Sequence, residues 1–323
     1  MRELHWLNTI CSRFLRQLLL VPLLLAPSLA VDADEAVEHF RSLGQKLCDQ
    51  KQYTDSISAF DRAIMFNPKD ASLYSQRSDS YEKCTKYPQA SADMRTAMKL
   101  DPKNSKYCIK YADLGDLVND QRQAIDGINR YLAISPDDWE FISKRAYKYR
   151  LINDFDRALA DSTNAIAVAK KVGAKKAHIA ELYKRRGQLL AWRKDFGRAL
   201  ADFTSGLELN PDDHALHKNR ADSYIASGQK RKAIEDLTFL VSREKKTASL
   251  LDDYGERARL YLELKDNPKA LADANSMIAL VSDFIDAFKL RAQIYEAMAK
   301  HDLAKKDLET VRKLGDDWMP PKY

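Results

Sequence analysis

The sequence predicts an all-α chain wound into a solenoid of helical hairpins, and three observations predict it. Only ten glycines and ten prolines interrupt 323 residues, of which 31% are charged, a composition typical of helices with a wet surface. One eleven-residue segment recurs eight times at a nearly constant period. Small residues stand at two fixed positions of that period.

The chain opens on a segment outside the repeats. Arg2, Arg13 and Arg16 precede an apolar run from Leu18 to Ala26, and Ser28-Leu29-Ala30 supplies small residues at a cleavage site. That order of charge, apolar run and small residues predicts a secretory signal peptide over 1–30, cut after Ala30. The run is too short to span a bilayer and Pro22 interrupts it; an uncleaved anchor or a buried N-terminal helix is the competing reading. Export follows, to a periplasm, a secretory lumen or the medium. No later segment is long and apolar enough to cross a membrane.

After a lead-in over 31–36, the repeated segment starts at Ser56, Ala90, Ala124, Ala158, Ala199, Ala233, Ala270 and Ala304, so five of the seven spacings are 34 residues and two are 41 and 37. A fixed period of this size marks a repeat architecture. A second helical pattern precedes each copy, as LYKRRGQLLAW (182–192) precedes ALADFTSGLEL (199–209). The units run over about 37–70, 71–104, 105–138, 139–172, 180–213, 214–247, 251–284 and 285–318, with a tail over 319–323. Pro68, Pro102, Pro136 and Pro211 end the second helix of four units, since proline lacks a donor and clashes with the preceding turn. Lys170, Lys245 and Ser282 stand at that place elsewhere. The seven and three extra residues near the first two are about two turns and one turn of helix, so longer helices and in-phase stacking are expected there. In the last unit Ala304, Leu308, Val311 and Leu314 form one narrow apolar stripe on a charged helix, the pattern of a soluble solenoid end.

Two columns fix the packing. The first helix carries Gly44, Ser78, Ala112, Ala146, Gly187, Ala221, Ala258 and Ala292 at one position, and the second carries the eight segment-starting residues at another. All sixteen are Gly, Ala or Ser, as close approach of helix axes requires. Tyr81, Tyr149, Tyr224, Tyr261 and Tyr295 are placed to fill the space between helices. On these residues the chain, over 37–318, resembles the tetratricopeptide repeat, a 34-residue helix–turn–helix unit. The resemblance implies a right-handed superhelical solenoid of eight hairpins, with the first helices lining a groove that holds an extended partner, usually a peptide. Fold alone does not say which.

Six units carry an arginine on the first helix, Arg77, Arg145, Arg186, Arg220, Arg257 and Arg291, and the same six carry an aspartate on the second, Asp93, Asp161, Asp202, Asp236, Asp273 and Asp307. The other two have neither, holding Leu43 with Ala59 and Tyr111 with Gly127. Residues that come and go together imply contact. We expect an Arg–Asp bridge between neighbouring helices, of the exposed kind that contributes about 0–1 kcal/mol; a row of ligand-binding arginines is the alternative.

Charge singles out the centre. Thr163 to Lys194 is net +8, while the rest of the chain after Ala30 is net −4. By the geometry the resemblance implies, Lys184, Arg185, Gln188 and Trp192 face the groove, with Lys144, Tyr147 and Arg150 before them and Lys218 and Asn219 after. Aromatics among cations suit an acidic protein or peptide, an anionic glycan or a phosphate-bearing partner; a merely solvated basic face is the competing reading. Asp252, Glu256 and Glu263 then reverse the sign in the seventh unit. A second candidate comes from the resemblance alone. Some tetratricopeptide domains hold the C-terminal carboxylate of a heat-shock chaperone in a five-residue Lys/Asn/Arg clamp, and its positions here hold Arg41, Gln45, Gln76, Lys106 and Lys110. The residues are similar in chemistry, and none is identical.

Other classes find little purchase. There is no glycine-rich phosphate loop, zinc-type cluster or nucleophile elbow, so the sequence implies no enzyme, no cofactor, no metal and no small-molecule substrate. His214 and His217 share a helical face without a third ligand and read as surface residues. Of Cys11, Cys48, Cys84 and Cys108, three follow the signal, which allows one disulfide at most. Export argues against nucleic acid as partner. A lumenal or periplasmic co-chaperone is the runner-up to a plain interaction scaffold, although no His-Pro-Asp triplet of a J domain is present.

Overall fold

The computed structural model describes residues 33–243 and 248–315. The signal-peptide reading, Lys245 and the tail lie outside them. Sixteen helices and no strand are present among the described residues. The chain divides into two compact units, Met1–Val118 and Asn119–Tyr323. The first holds α1 (Ala33–Asp49), α2 (Tyr53–Phe66), α3 (Ala71–Lys83), α4 (Tyr87–Leu100) and α5 (Ser105–Leu117). The second holds α6 (Gln121–Ile134), α7 (Trp139–Leu151), α8 (Phe155–Lys171), α9 (Lys176–Trp192), α10 (Phe196–Leu209), α11 (His214–Ala226), α12 (Lys230–Arg243), α13 (Ala248–Glu263), α14 (Asn267–Leu280), α15 (Ile285–Ala297) and α16 (His301–Lys313).

Local chemistry sets the helix ends. Asp70, Asn104, Asp120, Asp138, Asp154, Asp195, Asp213 and Asp266 each accept a backbone N–H of the first turn they precede, satisfying donors that the helix leaves orphaned. Where a first helix turns into its second, one residue is left-handed, among them Asn119, Asn153, Lys194 and Gly228, as is common just past a helix C-terminus. Within the 41-residue spacing α8 and α9 are 17 residues each, and within the 37-residue spacing α13 is 16, against 13 or 14 for the others that follow α1. The extra residues extend helices, as expected.

The two small-residue columns are buried where helices cross. A Cβ on Gly44 would lie 2.9 Å from the Phe60 ring, and one on Gly187 would lie 2.6 Å from the Phe203 ring. Phe60 and Phe203 occupy the same position of the second helix, and glycine faces it in those two hairpins only. Each ring fills the notch that the missing side chain leaves, and both are fully buried. In the first unit Phe60 packs with Val37, Ala63 and Leu73; in the second Phe203 packs with Ala180, Leu190, Ala199, Leu207 and Leu216.

All six expected Arg–Asp bridges are present. Each arginine donates through Nε and Nη2 to both oxygens of its aspartate at 2.6–2.9 Å. The expectation of exposed pairs needs correction: all six aspartates are buried, and aromatic rings lie against partner guanidinium groups, Tyr74 and Tyr81 at Arg77 and Tyr254 and Tyr261 at Arg257. Bidentate geometry and burial put them among strong, costly-to-break pairs. The third guanidinium nitrogen reaches back to the preceding hairpin. Nη1 of Arg77, Arg145, Arg186, Arg220, Arg257 and Arg291 donates to Asp61, Asn129, Thr163, Thr204, Thr238 and Asn275. These acceptors share one repeat position, a column the sequence reading missed. Donor and acceptor are 16 residues apart at four junctions, 23 at the seven-residue insertion and 19 at the three-residue one. The same contact therefore survives both insertions, and the stacking stays in phase across them.

Candidate functional site

Residues of α7, the turn after it, α8 and α9 line a concavity of about 690 Å³. Its lining includes Ser162, which hairpin four holds at the position where hairpins one and five hold Phe60 and Phe203. Ser162 and Ala146 are both small there, where an aromatic ring stands in hairpins one and five. Tyr147, Arg150, Arg185, Gln188 and Trp192, five of the nine residues read from the sequence, line this one groove. An adjoining hollow of about 300 Å³ adds Lys144, beside Trp139 and His178, and shares Ser143, Glu181 and Arg185 with the first.

The side chains differ in what they have left to offer. Arg185 and Lys184 both pair with Glu181, at 2.9 and 2.6 Å, and Lys184 also approaches Asp213 at 3.8 Å. Burial pushes the Glu181 carboxyl up, but hydrogen bonds from Lys184 and Arg185 outweigh it and hold it below the usual range. Lys218 is drawn into Glu256, Asp222 and Asp253 at 2.5, 3.2 and 3.4 Å. Burial lowers its pKa, and Glu256 and Asp222, Glu256 first, more than reverse the shift. Asn219 accepts from Gln188 at 3.2 Å. Lys184, Lys218 and Asn219 therefore serve the framework. Arg150 stacks on Tyr147 at 4.8 Å and Lys144 on Phe141 at 4.3 Å, and neither has a carboxylate partner among the described residues. Trp192 is 66% exposed, one face on Phe155 at 4.3 Å.

The basic window is less basic than its sequence. Lys171, Lys184, Arg185, Arg186 and Arg193 are paired with Asp137, Glu181, Asp202 and Asp156, and all of these acids but Glu181 lie outside the window. The acidic seventh hairpin is likewise muted, with Glu256 taken by Lys218 and Glu263 by Lys230 at 2.9 Å. In the first unit the clamp positions are largely spent. Arg41 is paired with Asp70 and Lys110 with Asp79, and Gln45 donates to Asp49 at 2.9 Å. Lys106 is exposed, and the side-chain oxygen of Gln76 is buried without a hydrogen bond.

His217 is not on the surface as expected. It is buried, stacked on Phe239 at 3.8 Å, with Nδ1 at 2.7 Å from Asp236 and Nε2 at 3.0 Å from the Pro211 carbonyl. Among the described residues no His, Cys, Asp or Glu group is placed to hold a metal, and no helix is long and apolar enough to cross a membrane. No disulfide joins Cys48, Cys84 and Cys108.

No family model matches the chain. It is 22% identical over 315 residues to a DnaJ homolog subfamily C member 7 homolog of Schizosaccharomyces pombe, covering 87% of this chain and 64% of that protein. It is 26% identical over 102 residues to the Hsp70-Hsp90 organizing protein of Triticum aestivum, covering 32% of this chain and 18% of that one. The chain thus spans less than two thirds of the length of these curated relatives. Among solved structures, the C-terminal part of a TPR repeat-containing protein from Cytophaga hutchinsonii superposes with a TM-score of 0.59 at 18% identity, covering 78% of this chain and 98% of that one. The fold is that of tetratricopeptide-type helical hairpins.

Proposed function

We propose that the protein is a non-enzymatic scaffold of an exported compartment that holds an extended, acidic segment of another protein in the groove of hairpins four and five. The observation that carries the reading is the pair of cations, Lys144 and Arg150, held on aromatic rings at the groove and left without a carboxylate. A cation fixed in place and unneutralised attracts an acidic partner and sets its register. Tyr147 and Trp192 supply rigid apolar area beside it. Affinity capture from the native compartment is expected to lose the partner when Arg150→Glu and Arg185→Glu are combined, with a larger loss at low salt, where screening is weak. Equal capture by wild type and variant at low salt would remove the groove from the reading.

A second reading is a lumenal or periplasmic co-chaperone that recognises peptide C-termini, and the names of the relatives support its co-chaperone part. A carboxylate clamp requires a free terminus, whereas the groove of hairpins four and five does not. Titration with an acidic C-terminal peptide and its amidated form separates the two. We expect equal affinity, because Arg41 and Lys110 are already engaged; a marked preference for the free acid would establish the clamp. A glycan or nucleic-acid partner has less support, since five cations of the basic window are internally paired.

A further inference from the structure

A second concavity, of about 880 Å³, adjoins the groove at the Phe155–Trp192 stack. Asn153, Phe155 and Trp192 line both it and the groove. The stacked rings, 4.3 Å apart, thus form a ledge between two hollows, and the indole is two-thirds open to solvent. The charges are arranged in parallel on the two sides. In the outer hollow Arg157 pairs with Asp154 at 2.7 Å and Arg193 with Asp156 at 2.8 Å. Arg122, which lines the same hollow, has no carboxylate partner among the described residues. In the groove Arg185 is paired with Glu181 and Arg150 is not. Each side of the ledge therefore presents one guanidinium without a carboxylate partner among the described residues.

We infer that the two hollows are one binding surface folded over the Phe155–Trp192 ledge, and that its occupant is an extended acidic segment that crosses the ledge, carrying a large apolar side chain between two acidic residues. The inference rests on the groove reading and specifies its ligand. An apolar side chain covers the exposed indole, removing apolar area from water on both partners. A carboxylate before it meets Arg150 and a carboxylate after it meets Arg122, each in the paired geometry that guanidinium favours. In an extended segment side chains two residues apart share one face, so acids two positions before and after the apolar residue are turned toward the same surface as it is. Apolar contact and charge at once select against segments that are only acidic or only greasy.

The test uses the full described chain and fluorescein-labelled peptides read by anisotropy. The first peptide has acidic residues on both sides of a central phenylalanine, the second has alanine at the centre, and the third has glutamines in place of the acids on one side. Wild type should bind the first peptide at least about tenfold more tightly than either of the others, since one charge-assisted pair or one buried aromatic is sufficient for a tenfold change. Arg122→Glu and Arg150→Glu should each weaken the first peptide by about tenfold or more, and Trp192→Ala should erase the preference for phenylalanine over alanine. Helical circular dichroism should match wild type in all three variants, as these side chains are exposed. If Arg150→Glu weakens binding and Arg122→Glu does not, the crossing is wrong and the groove reading stands. If Trp192→Ala leaves the phenylalanine preference intact, or if wild type binds none of the peptides, the inference is overturned.

Discussion

Replacing Asp236 with alanine is expected to cost about 3–5 kcal/mol, the range for removing one partner from a buried ion pair. Asp236 is 2% exposed and accepts from Arg220 Nε and Nη2 at 2.9 and 2.7 Å and from His217 Nδ1 at 2.7 Å. Without it the Arg220 guanidinium keeps one hydrogen bond, to Thr204 at 3.3 Å. The His217 ring keeps only the Pro211 carbonyl. The variant also carries a pH signature. Burial pushes the Asp236 carboxyl up, but hydrogen bonds from His217 and Arg220 and the charge of Arg220 outweigh it and hold it below the ordinary carboxylate value. A group whose folded pKa is depressed adds stability above its unfolded pKa, near 4, and loses it as pH falls through the folded value. Wild type should therefore lose stability below about pH 4 more steeply than Asp236→Ala. Urea unfolding followed by circular dichroism at neutral and acid pH measures both. Asp61→Ala is the control, because that carboxylate is 48% exposed and should cost under about 1 kcal/mol. Equal costs for the two would mean that burial does not set the strength of these bridges.

Phe203→Ala is expected to cost about 3–5 kcal/mol by leaving a cavity in a fully buried cluster. Gly187→Ala alone should also destabilise, by about 1–3 kcal/mol, because its methyl would enter the Phe203 ring at 2.6 Å. The double variant is the sharper measurement. With the ring gone, the new methyl has room, so the two costs should fall short of additive by about 1 kcal/mol or more. Strict additivity would show that the ring does not depend on the glycine notch. Because each hairpin leans chiefly on its neighbours, hydrogen exchange should place the loss in α9, α10 and the helices beside them rather than along the whole chain.

Much of the fold was legible because a repeat prints its own packing rules several times. The small-residue columns, the Arg–Asp pairing and the helical insertions each follow from comparing one copy with the next. Burial of the six aspartates was missed because a sequence shows that two charges meet and not how deeply the helices around them bury the pair. The groove was legible in its residue types and misread in its charge. Asp137, Asp156 and Asp202 neutralise the basic window from outside it, and a window along the chain cannot count neighbours across helices. Ser162 did stand in the sequence as a signal. It stands where six of the eight hairpins carry a large apolar side chain and hairpin seven carries Ala274, and it lines the groove.

The backward reach of each arginine makes the order of the hairpins part of the structure's grammar. A second helix ending its bond at Asp61, Asn129, Thr163, Thr204, Thr238 or Asn275 presents an acceptor to an arginine on the hairpin that follows. Hairpin two departs from this: it holds Arg95 at that position, and the next hairpin holds Tyr111 in place of the arginine. Moving hairpin two in front of any arginine-bearing neighbour would set two guanidinium groups against each other. Any reordering of units within this chain is therefore constrained by pairs of adjacent copies, so the smallest self-consistent module is the junction between two hairpins rather than the hairpin itself.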